Sequence, residues 1–63
     1  THLSPRVALG GTVHIGSSCH LGIGTTVKNN IVIYDDIVVG AGACVVNNLI
    51  DVGTYVGVPA RRL

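Results

Sequence analysis

The sequence predicts an all-β chain wound as a parallel β-helix of about three coils with a C-terminal tail. Three observations lead there. An apolar residue stands at every sixth position, at Leu3, Leu9, Ile15, Leu21, Val27, Ile33, Val39 and Val45. Two glycine stretches, Leu21-Gly22-Ile23-Gly24 and Val39-Gly40-Ala41-Gly42, lie 18 residues apart. The pairs Asn29–Asn30 and Asn47–Asn48 repeat that spacing. A six-residue period does not fit the helical 3.6, whereas a short strand followed by a tight corner fills it. Three such units make one coil, and each unit buries its apolar side only when stacked on another.

The elements follow in order from this register. Leu3, Leu21 and Val39 fall on one wall, Leu9, Val27 and Val45 on a second, Ile15 and Ile33 on a third. Strands stacked this way lie about 4.8 Å apart. Four places after each comes a second small or aliphatic residue: Val7, Val13, Cys19, Thr25, Ile31, Ile37, Ala43 and Leu49. These also turn inward. The residue just before each wall position faces out, in three columns: His2, His20 and Val38; Ala8, Thr26 and Cys44; His14, Val32 and Ile50. Outward Val32, Val38 and Ile50 are a liability on a monomer, so the coil is expected to pack sideways on copies of itself. The glycines of Gly22–Gly24 and Gly40–Gly42 mark corners, where a missing Cβ permits unusual backbone angles and close approach of a neighbour. Tyr34-Asp35-Asp36 reads as a corner rather than an acid/base pair. The two Asn pairs share another corner, since Asn tolerates left-handed angles. Coils occupy residues 1–50; residues 51–63 read as a turn, a short strand and a proline-stiffened tail.

Composition supports many similar small slots over one irregular globule. Hydrophobic residues make up 48% of the 63, yet there is no Phe, Trp or Met and only two Tyr. A single domain of this size has a marginal core, so stability is expected to depend on assembly. Four basic against three acidic residues exclude the strongly basic surface of a nucleic-acid binder. No apolar run approaches the ~18 residues of a membrane span, and no signal peptide is recognisable. Cys19 and Cys44 form no C-x-x-C motif and read as reduced thiols, the first in the core and the second outward. No cation or His flanks Cys44 to make it a reactive thiolate. The Gly40-x-Gly42 pair is no dinucleotide cradle, because Val45 stands where the third glycine belongs and no helix follows. The chain starts at Thr1 in mid-pattern, and is expected to be part of something longer.

The hexapeptides, the opening THLSPRVALGGTVHIG and the closing YVGVPARRL resemble the left-handed β-helix acyltransferases. Within them the likeness is to bacterial acetyl-CoA-dependent N-acetyltransferases that act on UDP-linked amino sugars for pilin or flagellar glycans. Sialic acid O-acetyltransferases are near relatives. The resemblance covers the whole chain, and it alone implies the left hand. It further implies a cytoplasmic homotrimer with acetyl-CoA in the groove between neighbouring coils. It implies a separate N-terminal lobe for the sugar nucleotide and a catalytic histidine upstream of Thr1. By the same resemblance His2, Gly11, Ile23 and Ala41 match the acetyl-CoA contacts, although Ala41 stands where a glycine is expected. Arg61 and Arg62, the only paired cations, are a candidate for the anionic nucleotide end, against the simpler reading of a solvated tail. Two alternatives stand beside this. One is a non-catalytic trimeric scaffold. The other is a γ-type carbonic anhydrase-like zinc protein, which needs three converging histidines. Such enzymes space two ligands with four residues between them; here His14 and His20 have five between them.

Overall fold

The computed structural model describes residues Thr1–Leu63, and in it the six-residue register becomes three walls without any helix. The first wall stacks β1 (His2–Leu3), β4 (His20–Leu21), β7 (Ile37–Val39), β9 (Gly53–Val56) and β10 (Arg61–Arg62). The second stacks β2 (Ala8–Leu9), β5 (Thr26–Val27) and β8 (Cys44–Val45), and the third β3 (His14–Ile15) and β6 (Val32–Ile33). Pairing is parallel and in the predicted register: Leu3 to Leu21 to Val39, Leu9 to Val27 to Val45, Ile15 to Ile33. The inward residues fill the prism. Leu21, Val27, Ile33, Ile37, Val39 and Val45 are fully buried, with Cys19, Thr25, Ile31, Ala43, Leu49 and Tyr55 beside them. Leu3 and Leu9 occupy inward positions but stay 46% and 41% exposed, because they form the end of the prism that no coil covers.

The corners divide the work of unusual angles and close approach between two positions. A left-handed φ recurs at every sixth residue: Arg6, Thr12, Ser18, Gly24, Asn30, Asp36 and Gly42, all between 57° and 73°. Gly24 and Gly42, read as corners from the sequence, are among them, whereas Gly22 and Gly40, two places earlier, serve close approach instead. A Cβ on Gly10 would come 2.5 Å from the backbone N of Asn29, and one on Gly22 would come 2.7 Å from that of Ala41. Five of the seven left-handed residues are not glycine, and each bears roughly 1 kcal/mol for it. For Asn30 and Asp36 the backbone explains why they stay. The left-handed residue's N–H donates along the axis to the corner below: Gly24 to Pro5 O, Asn30 to Gly11 O, Asp36 to Ser17 O and Gly42 to Ile23 O, at 2.7–3.2 Å.

The last coil departs from the repeat. Leu49 bridges to Ile33 and Tyr55 pairs with Val39, so this turn is two residues shorter than its predecessors. Leu49, expected in the second inward position of its unit, therefore takes the wall position above Ile33. Ile50 leaves the column of His14 and Val32 and is 57% exposed, while Val32 is half-buried. The shortening removes a ladder acceptor. His14 N donates to Ile31 O below the gap, but Val32 N has no such carbonyl and donates to the Asn48 side-chain Oδ1 at 2.8 Å. Asn48 thus repairs the ladder with its amide and does not adopt a left-handed angle; in the two Asn pairs only Asn30 does. Asn48→Ala is expected to lower stability by about 1 kcal/mol, whereas Asn48→Asp, which keeps the acceptor, retains most of it. Thermal unfolding of the two variants side by side checks this.

The end of the chain is more structured than a tail. After β9 extends the first wall, the turn Gly57–Ala60 crosses the second wall, where Cys44 N donates to Gly57 O and Ala60 N to Cys44 O. β10 then returns antiparallel on β9, pairing Arg61 with Val56 and Arg62 with Tyr55. A short, reversed, doubly charged strand is a poor template for further pairing, so this end of the solenoid is closed.

Candidate functional site

The outer faces, not the interior, carry the polar chemistry. On the first wall His2 and His20 stack as predicted neighbours of one column, with ring centroids 4.8 Å apart and planes 12° from parallel. Val38, 42% exposed, is the next member. The corner that follows this wall carries Pro5, Ile23 and Ala41 on successive coils. It is pinned by the bonds from Gly24 N to Pro5 O and Gly42 N to Ile23 O. Ile23 is 57% exposed and Ala41 is exposed. His2, Ile23 and Ala41 therefore share one wall and its adjoining corner.

Gly11 stands elsewhere, on the corner beyond the second wall, below Asn29 and Asn47. Its carbonyl accepts from Asn30 N, and space is open for 4 Å where its Cβ would be. The carboxamides of this corner and Lys28 line an open recess of about 380 Å³. One chain thus brings three of the four candidate contacts together and leaves Gly11 on a separate corner. Open space at Gly11 and Gly42, with the small Ala41 beside Gly42, suits a thin, amide-bearing chain lying along the surface.

The remaining candidates have structural partners. Asp35 Oδ1 accepts from Ser17 N at 2.8 Å, and Asp36 takes the left-handed corner, so the pair is committed to the turn. The buried Cys19 thiol donates to Tyr34 O at 3.0 Å, while Cys44 is half-buried on the second wall. His14 lies on the third wall, apart from His2 and His20, and no three His, Cys, Asp or Glu side chains converge. Arg62 lies against Gly53, where a Cβ would meet its Nε at 2.7 Å, and Arg61 is exposed beside it. Sequence reasoning placed His2 and His20 in one column but did not pair their rings; their 18-residue separation was the available signal. Tyr55 was also missed as a core residue. Its ring is buried, and its hydroxyl donates to Asp51 O at 2.8 Å.

Among solved structures, the chain superposes over its full length on PerB from Caulobacter crescentus in complex with CoA and GDP-perosamine. The TM-score is 0.97 and the identity 41%, covering 100% of this chain and 30% of that one. The chain matches the β-helix of the left-handed β-helix sugar acetyltransferases. A second member of the family, the acetyltransferase domain of PglB from Neisseria gonorrhoeae in complex with acetyl coenzyme A, matches with a TM-score of 0.95. It is 32% identical over 98% of this chain and 30% of its own. A serine acetyltransferase in complex with CoA has a TM-score of 0.88 at 31% identity, over 97% of this chain and 27% of that one. The chain therefore spans about 30% of the length of the first relatives. No family model matches the sequence. No helix is long and apolar enough to cross a membrane.

Proposed function

We propose that the chain is the acetyl-donor-binding β-helix of an enzyme that transfers acetyl from acetyl-CoA to the amino group of a nucleotide-linked sugar. The full-length likeness to PerB, bound to CoA and GDP-perosamine, carries this reading. The sequence resemblance favours a UDP-linked amino sugar, whereas PerB binds a GDP-linked one; the resemblance implies a separate N-terminal lobe to hold that nucleotide. Acetyl-CoA supplies a thioester whose carbonyl the sugar nitrogen attacks. The chain's part is to hold that donor. His2 offers an imidazole N–H or lone pair, and the Ile23–Ala41 corner and Gly11 offer open backbone to the pantetheine arm. Proton removal from the sugar amine falls to the upstream histidine that the family resemblance implies.

His2 and Gly11 stand on different corners, and a donor seated between two copies of the chain touches His2 of one and Gly11 of the other. We propose a cytoplasmic trimer. Exposed Val38 and Ile50 support lateral packing. Sedimentation of the complete protein is expected to give three times the chain mass. Release of CoA thiol, measured with UDP- and GDP-linked amino sugars as acceptors, tests the activity; no release with any amino sugar overturns it. His2→Ala is expected to raise KM for acetyl-CoA about tenfold, the loss of one hydrogen bond, with a smaller change in kcat.

A further inference from the structure

We infer that His20 is a positioning residue, whose ring fixes the imidazole of His2 against the acetyl donor. The inference rests on the proposed role of His2. His2 is exposed on the two-residue strand β1, and its ring makes no hydrogen bond that would hold it. β4, which carries His20, is paired with β1 on one side and β7 on the other. His20 therefore stands on an anchored strand with its ring against that of His2.

The geometry fits. A centroid separation of 4.8 Å with planes 12° apart is a stacked arrangement, within the 4.5–7 Å range of favourable ring pairs. Neither ring hydrogen-bonds to another side chain or to the backbone, so the face-to-face contact alone orients the imidazole of His2. Both nitrogens of His2 remain free for a ligand approaching along the wall. A flat apolar or aromatic surface is all that His20 needs to supply, so its own nitrogens are dispensable for this purpose.

That separates positioning from direct contact. In the complete protein, His20→Ala is expected to raise KM for acetyl-CoA about three- to tenfold while kcat stays within twofold. His20→Phe, which keeps a stacking ring and removes both nitrogens, is expected to stay within twofold of the parent in KM. Unfolding midpoints of both variants, exposed as the position is, should match the parent. Equal KM increases in the Ala and Phe variants overturn the inference, since His20 then acts through its nitrogens. An unchanged KM in His20→Ala, alongside a raised KM in His2→Ala, overturns it too. If His2→Ala itself leaves KM unchanged, the reading of His2 as a donor contact fails first and the inference falls with it.

Discussion

Leu21→Ala is expected to lower stability by about 3–4 kcal/mol, the largest effect of any single substitution considered. Leu21 is 0% exposed and sits in the middle of the first wall, between Leu3 and Val39. Truncation removes apolar burial and leaves a cavity that parallel coils cannot readily close, because β4 is held by ladder bonds to β1 and β7 on its two sides. Leu3→Ala makes the comparison. The same chemistry at the 46% exposed end of the column is expected to cost well under half as much in this chain. Denaturant unfolding of the two variants checks the ratio; equal losses would mean that the stack does not bury its middle coil as described.

Gly22→Ala is expected to cost about 2–3 kcal/mol and to weaken acetyl-CoA binding as well. A Cβ there would lie 2.7 Å from Ala41 N, 2.9 Å from Gly40 C and 3.0 Å from Ala41 Cα. These are backbone atoms of the next coil, so no rotamer change relieves the contact, and the corner carrying Ile23 and Ala41 must shift. Gly11→Ala is the matched control. Nothing lies within 4 Å of its Cβ direction and its φ is not left-handed, so its stability is expected to change by less than about 0.5 kcal/mol. Any change in KM for acetyl-CoA at Gly11 then reports on the surface rather than on folding. Thermal unfolding combined with donor titration separates the two variants.

Much of the molecule was legible because the repeat is short and strict. Side chains on a strand alternate faces, so one inward residue per six fixes the wall, and a coil of three units fixes which residues stack. The pairing of His2 with His20, the burial of Cys19 and the turn role of Asp35 and Asp36 all follow from counting. The left-handed corners were less legible. Arg6, Thr12 and Ser18 adopt that region without the preference of Asn or Gly for it, so residue type alone did not mark them. Of the site, His2, Ile23 and Ala41 fall on one wall and corner by register alone. Gly11 does not; it stands on the corner beyond the second wall.

The amino-acid sequence alone determined the solenoid, its three walls and the residues that fill them, because a six-residue apolar period has no other way to bury itself. Only the tertiary structure decided where the repeat breaks. The two residues lost in the last coil follow from Leu49 and Tyr55 finding Ile33 and Val39, a long-range match that overrides the local count. The reversal of Arg61–Arg62 onto β9 was decided in the same way, by an unpaired strand edge that only the completed stack presents.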